Sequence, residues 1–428
     1  MKKTERDFII RLIKREVVPA IGCTEPIAVA LCVSKAARLL GKEPEKIKVL
    51  LSANILKNAM GVGIPGTGMI GLPIAVALGA LAGNPDYQLE VLKDITSDDV
   101  ERGKQVIAEN RIDIQLKENI AEKLYIEVIM SAGPDETTAI ISGGHTCFVY
   151  EARNGNVLLD ERISAVAEES EEDGSLSLRK VYDFALTAPL DEIDFILDSA
   201  RLNKAAAEAS FKGDYGHSLG KSLRNDNERR VMGDSVFTRI LSYTSGACDA
   251  RMAGAMIPVM SNSGSGNQGI AATLPVVVYA EENQKSREEM IRALVLSHLT
   301  AIYIKQSLGR LSALCGCVVA ATGSSCGITY LMGGGYEEMT YAVKNMVANL
   351  TGMICDGAKP SCAMKLTSGV STAVFSAMLA MEHKCVTAVE GIIENDVDRT
   401  IHNLTRIGAQ GMNETDRLVL DIMTHKCP

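Results

Sequence analysis

The residues with the most chemistry to offer are thiols. Cys23 lies in Gly22-Cys23-Thr24-Glu25-Pro26, just ahead of a helix start, where the local field favours a thiolate. Cys315-Gly316-Cys317 and Cys355-Asp356-Gly357-Ala358-Lys359-Pro360-Ser361-Cys362 form two further groups, with Cys326 and the penultimate Cys427 beside them. Thiolates ligate metals and act as nucleophiles, and spacing alone leaves that choice open. No pair is C-x-x-C, and no His stands at ligand spacing, so neither a zinc ribbon nor a ferredoxin pattern is spelled out. Cys32, Cys147, Cys248 and Cys385 fall in apolar or strand-like runs and read as packing residues.

Three segments are richer in glycine and small polar side chains than helix packing requires. They are Ser52 to Asn58 continuing to Gly66-Thr67-Gly68, Ser142-Gly143-Gly144-His145-Thr146, and Ser261 to Gly269. Backbone N–H groups and hydroxyls in such runs can hold an amino acid's carboxylate, above all where a helix begins just afterwards. The third run is flanked by apolar sequence on both sides, and a buried polar loop is costly unless something satisfies it. Lys57 stands among apolar neighbours, where an unpaired ammonium is expensive. His145, at a strand end, reads first as a turn residue. Gly264, Gly266 and Gly269 fit the dinucleotide spacing G-x-G-x-x-G, but Pro258 interrupts the run before it, so the context is poor.

These residues need elements to position them. Phe8, Ile9, Leu12, Ile13 and Val17 repeat at helical spacing, and Pro26 is placed to open a second helix towards Leu40. Strand-like runs follow at Ile47 to Ala53, Leu124 to Met130, Thr137 to Ser142 and Thr146 to Ala152. Asn154-Gly155 then signals a hairpin turn into Val157-Leu158-Leu159. Beyond an acidic stretch from Glu168 to Asp173, helical runs dominate: Asp191 to Ala209, Arg229 to Tyr243, Arg287 to Ser307 and Tyr336 to Asn349.

The expected fold is α+β, mainly α: a large helical bundle domain with a smaller α+β sheet domain of four to six strands. Residues 1–45 are helical and pack with the C-terminal domain, 46–160 form the α+β domain, and 161–428 form an all-α domain. With 428 residues, there is ample chain for two cores.

Composition limits the partners. A net charge of -9 without clustered Lys or Arg argues against nucleic acid. Residues Ala59 to Gly83 carry no charge, but Gly61, Gly63, Gly66, Gly68 and Gly71 with Pro65 make the first half a loop, and Pro73 to Ala82 read as a short buried helix, not a membrane span. The start, MKKTERDFII, lacks a signal peptide's apolar core, and eleven cysteines then read as reduced thiols in a cytoplasmic protein.

Pro19-Ala20-Ile21-Gly22-Cys23-Thr24-Glu25-Pro26, Lys57-Asn58 with Pro65-Gly66-Thr67, Leu314-Cys315-Gly316-Cys317 and Gly352 to Lys359 together resemble the L-cysteine desulfidases. These are relatives of the bacterial iron–sulfur L-serine dehydratase α chain, and the resemblance runs over nearly the whole chain. It implies a [4Fe–4S] cluster on three cysteines, matched here by Cys23, Cys315 and Cys355, with one iron left open for substrate. The dehydratases use a second cysteine where Cys362 stands, at a different spacing. Cys317 and Cys362 are thus reserve ligands, and Cys427 is a mobile tail thiol. The residues at 161–428 then become the cluster-binding domain.

The implied reaction eliminates sulfide from L-cysteine to give pyruvate and ammonia. Asn54, Asn58, Thr67, Ser263 and Asn267 are the expected substrate contacts, and Lys57 and His145 the expected base or orienting residues. Three alternatives accompany this reading. One is an L-serine dehydratase with the same cluster. Another is a pyridoxal-phosphate lyase with Lys57 as Schiff base and residues 261–269 on the phosphate. The third is a non-catalytic iron or redox sensor. A small amino-acid substrate and a homodimer are the expected partners.

Overall fold

Alternation of inward apolar side chains builds the sheet. In the computed structural model, which describes residues 1–118, 120, 122–162, 176–225, 230–309 and 312–425, every second side chain of strands Lys46–Leu51 (β2) and Tyr125–Ala132 (β4) is buried. With β3 (Ile112–Leu116), β5 (Asp135–Ser142), β6 (Phe148–Arg153) and β7 (Asn156–Asp160) they form a six-stranded sheet ordered β3-β2-β4-β5-β6-β7. All neighbours are antiparallel except β2 and β3, whose parallel pairing needs a crossover. The Leu72–Leu81 and Ser97–Ala108 helices lie in that crossover. The hairpin at Asn154-Gly155 closes β6 on β7 as its sequence requires, with both residues at positive φ. The uncharged Ala59–Gly83 stretch is a loop followed by the Leu72–Leu81 helix, as expected, and that helix is buried against the sheet domain. Among the described residues one helix, Cys362–Met381, is long and apolar enough to cross a membrane by length and composition alone, and over half of its apolar window is buried in the fold.

The remainder is mainly helical, so the expected α+β, mainly α, class is the observed one. The Val236–Met252, Gly266–Glu282, Arg287–Leu308, Gly316–Leu331 and Cys362–Met381 helices stack on one another. The Gly316–Leu331 helix is made mostly of Gly, Ala, Ser, Thr and Cys and is buried nearly throughout, which lets its neighbours approach closely. The first 45 residues divide between the two cores. Ile9, Leu12 and Ile13 of the Lys3–Glu16 helix join the helical core, whereas the Thr24–Leu40 helix buries Ile27 to Leu40 against the sheet.

Several sequence expectations shift in detail. The helix expected from Arg229 is Val236–Met252, and the one expected from Asp191 is Leu197–Lys212, preceded by a short separate turn at Leu190–Ile193. Gly266 to Gly269, expected in a loop, form the first turn of the Gly266–Glu282 helix, capped by Ser265. Cys147, expected to pack, is exposed. The acidic stretch Glu168 to Asp173 and the tail thiol Cys427 lie outside the described residues.

Candidate active site

Two short pairings bring distant segments together. Strand Pro19–Ile21 (β1) pairs antiparallel with Pro258–Met260 (β8), Pro19 opposite Met260 and Ile21 opposite Pro258. The pairing continues past the strands. Val18 O accepts from the Ser261 N–H at 2.8 Å, and Gly264 O accepts from the Thr24 hydroxyl at 3.2 Å. Cys23 is thereby set beside the Ser261–Gly269 segment. On the other side Leu314 bridges Ile354, with Cys315 N–H on Met353 O and Cys355 N–H on Ala313 O. That bridge puts Cys315 and Cys355 next to each other.

The loop after Cys355 is locked in two ways. Gly357 takes a positive φ and lies so close to Lys57 O that a Cβ would stand 2.2 Å from it, so only glycine fits. Asp356 pairs with both Lys359 and Lys365. Burial opposes its ionisation, but the two lysine hydrogen bonds outweigh that and hold the carboxyl at about 2.

The result is a cavity of about 120 Å³, well above the roughly 10–15 Å³ that one water needs. Cys23, Cys315, Cys317, Cys355 and Cys362 all line it, and so do Asn58, His145, Ser263 and Asn267. The structure therefore gathers the three expected thiolate ligands, both reserve thiols, three of the five expected substrate contacts and His145. Asn54, Thr67 and Lys57 do not line it. The Thr67 hydroxyl donates within its own turn to Ile64 O at 2.8 Å. Lys57 is 1 % exposed, but its ammonium pairs with Asp416 on the Asn413–His425 helix and lies 3.4 Å from Cys355 O. A second cavity of about 210 Å³, lined by Arg224, Arg239 and Glu282, contains none of the expected site residues.

The thiols differ in their protonation. Cys315 and Cys317 are in sulfur–sulfur hydrogen-bond contact at 3.3 Å. Sharing that contact holds Cys315 below the ordinary thiol range and pushes Cys317 well above it. Burial raises Cys23, with the Glu25 carboxylate adding to the rise, and burial likewise raises Cys355 and takes Cys362 to about 11. Protein alone thus disfavours most of these thiolates.

Arg251 offsets part of the rise at Cys23 and Lys365 part of that at Cys355, and two cations of the site, Arg251 and Lys305, were missed by sequence reasoning. Arg251, at the end of the Val236–Met252 helix, and Lys305, in the Arg287–Leu308 helix, both line the cavity. Burial lowers Lys305 to about 8 against the opposing pull of Cys355, Cys315 and Glu25. Lys305 has no hydrogen-bond or ion-pair partner among the described residues. The signal was present in the sequence: Lys305 shares its helix face with Ala301, Ile302 and Leu308, all buried. Cys248, read as packing, is buried and also touches the site, its sulfur 3.5 Å from Asn267 Oδ1.

Among the described residues no three His, Cys, Asp or Glu side chains already surround a single-ion site. A four-iron cluster makes a different demand. It is a body of several atoms, held by thiolates spread around it, and a thiol-walled cavity meets that demand. The five sulfurs, two of them in hydrogen-bond contact, share a cavity with the buried Arg251 and Lys305 and form a donor set that fits such a cluster.

A helical core carrying a sheet domain, with a thiol-lined cavity at their junction, defines a class of proteins with a buried, cation-backed sulfur site. Residues 86–421 match the serine dehydratase alpha chain family, and the chain belongs to that family. It is 75 % identical over 426 residues to a UPF0597 protein of Bacteroides fragilis, covering 100 % of both chains. It is 58 % identical to a UPF0597 protein of Porphyromonas gingivalis, again over 100 % of each. A UPF0597 protein of Chromobacterium violaceum is 46 % identical over 97 % of both chains.

Proposed function

We propose that this chain is an iron–sulfur lyase that eliminates sulfide from L-cysteine, giving pyruvate, ammonia and sulfide. The observation that carries the reading is the convergence of Cys23, Cys315 and Cys355, from three separate parts of the chain, on one cavity that also holds a buried ammonium and a buried guanidinium. Membership of the serine dehydratase alpha chain family supports lyase chemistry of this kind.

In this reading Cys23, Cys315 and Cys355 would hold a [4Fe–4S] cluster, which would supply Lewis-acid assistance to the leaving group. The chain's own residues do the rest. Lys305 Nζ takes the α-proton, for which a lysine lowered towards neutral pH is suited. As that proton leaves, the Cα–H electron pair forms the Cα–Cβ double bond and the Cβ–S bond breaks. The 2-aminoacrylate released then tautomerises, and water converts the imine to pyruvate and ammonia. His145, Asn58 and Ser263 orient the substrate from the cavity wall. Lys57 acts at one remove, holding the Cys355 segment through its carbonyl and through Asp416.

Family membership favours a second substrate, L-serine, dehydrated at the same site. The pyridoxal-phosphate alternative finds less support, because the Lys57 ammonium is paired with Asp416 outside the cavity. Assaying anaerobically prepared protein for pyruvate with each amino acid decides between the substrates. Pyruvate accompanied by sulfide, faster from L-cysteine than from L-serine, is the expected result. Pyruvate from L-serine alone would replace desulfidation with dehydration, and no product from either would leave a sensor.

A further inference from the structure

Arg251 is 3 % exposed, yet it forms no ion pair with any described residue. Its Nη1 donates to Asn267 Oδ1 at 3.0 Å, and its Nε has no partner among the described residues. Glu25 lines the same cavity, but its carboxylate takes the Cys23 thiol at 3.0 Å instead. A guanidinium removed from water without a counter-ion is costly, and a fold that keeps one keeps it for an anion that arrives later.

The surroundings are shaped around this group. Gly266 packs against it so closely that a Cβ there would stand 2.2 Å from Nε, so any side chain at 266 would displace the guanidinium. Asn267 holds it from the first turn of the Gly266–Glu282 helix, whose N-terminal N–H groups add positive potential on the same side. One residue further on, Gln268 is also buried, and its Oε1 has no hydrogen-bond partner among the described residues. That side chain reaches the cysteine loop, lying about 3 Å from where a Cβ on Gly316 would be. Arg251 and Gln268 thus both line one cavity, each buried and each with a polar atom that lacks a partner among the described residues.

We infer that Arg251 binds the carboxylate, and Gln268 the ammonium, of a free α-amino acid, so that the site selects intact amino acids over amines or simple carboxylic acids. This rests on the proposed lyase reading for what happens next, but not for the binding itself. The cavity then has a division of labour: the thiols face the side-chain end of the substrate and the Arg251–Gln268 pair faces its backbone end.

The test measures binding apart from turnover. L-Alanine carries both backbone charges and no leaving group; ethylamine lacks the carboxylate and propionate lacks the ammonium. Equilibrium binding of each is measured on anaerobically prepared protein and on Arg251→Gln, Arg251→Lys and Gln268→Met, with iron and acid-labile sulfide determined on every sample. The inference expects L-alanine to bind at least tenfold tighter than ethylamine or propionate. It expects Arg251→Gln and Gln268→Met to lose that preference with iron unchanged, and Arg251→Lys to keep part of it. Equal binding of all three ligands, or unchanged L-alanine affinity in Arg251→Gln, would overturn it. So would loss of iron in step with loss of binding, which would make the guanidinium a counter-ion to the thiolates. Selective L-alanine binding without sulfide release from L-cysteine would sink the lyase reading and leave this inference standing.

Discussion

Lys305 carries the sharpest prediction at the scale of single residues. A buried lysine lowered to about 8, on the wall of a thiol-lined cavity, has the position and basicity of a general base. Lys305→Met is expected to lower kcat roughly 10²- to 10⁴-fold, the usual worth of a positioned base, while iron content stays at the wild-type level. Loss of iron with activity would make Lys305 a support of the thiolates instead. Asp249 offers a pH test. Burial raises its carboxyl to about 6, against the pull of backbone N–H groups that include Gly220's at 2.9 Å. Its unfolded value is about 3.9. The protonated form is favoured in the fold, so the cost is absent below about pH 4, grows as pH rises to about 6 and is complete above that. Asp249→Asn is therefore expected to be more stable than wild type at pH 7, by on the order of 2 kcal/mol, and equal to it near pH 4, as read by denaturant titration. Equal stability at both pH values would contradict this. Residues of this scale were only half legible in the sequence. Cys23, Cys315, Cys355, Asn58, Ser263, Asn267 and His145 sat in segments whose composition drew attention to them. Arg251 and Lys305 sat in the last turns of their helices, where a long cation reads as one that meets the helix dipole and reaches for solvent.

At the scale of elements, the contact between the Ala53–Ala59 helix and the C-terminal Asn413–His425 helix matters most. Lys57 joins them through Asp416 and also touches Cys355 O, and Met423 packs on Gly357. Breaking one partner of a buried pair costs about 3–5 kcal/mol, and removing both costs less than the sum. Lys57→Met and Asp416→Asn are each expected to lower stability by about 3 kcal/mol and to reduce iron retention. The double variant should be no worse than either alone, checked by denaturant unfolding and iron analysis. Additive losses would show that the two side chains act separately. A run of sequence showed that Lys57 was buried for a reason, but not which reason, because its partner lies on a helix far along the chain. Local pattern did better with the elements themselves. A β-rich run marked β2, alternation marked β4 and Asn154-Gly155 marked the last hairpin, whereas β3 alternates Ile112, Ile114 and Leu116 with polar residues but is short and mostly exposed, and was missed. The Ser261–Gly269 run was half misread: its glycines and Asn267 start a helix because Ser265 caps it.

For the whole molecule, the site exists only where the two cores meet. β1 pairs with β8 to bring Cys23 over, the Leu314–Ile354 bridge brings Cys315 and Cys355 together, and the sheet domain contributes His145. None of the three thiol groups is a metal motif alone, which is why spacing left the choice open and only the fold assembles them. Cys23→Ser, Cys315→Ser and Cys355→Ser are each expected to lose most of the iron, while Cys32→Ser, buried under the sheet, should keep it. The most direct test of the account is sulfide release from L-cysteine by anaerobically purified protein, measured on samples that differ in iron content. The account predicts about four irons per chain at full loading, as a [4Fe–4S] cluster requires, with activity rising in proportion to iron and vanishing in iron-free protein. Sulfide release that is independent of iron, or fully loaded protein that releases none, would contradict it.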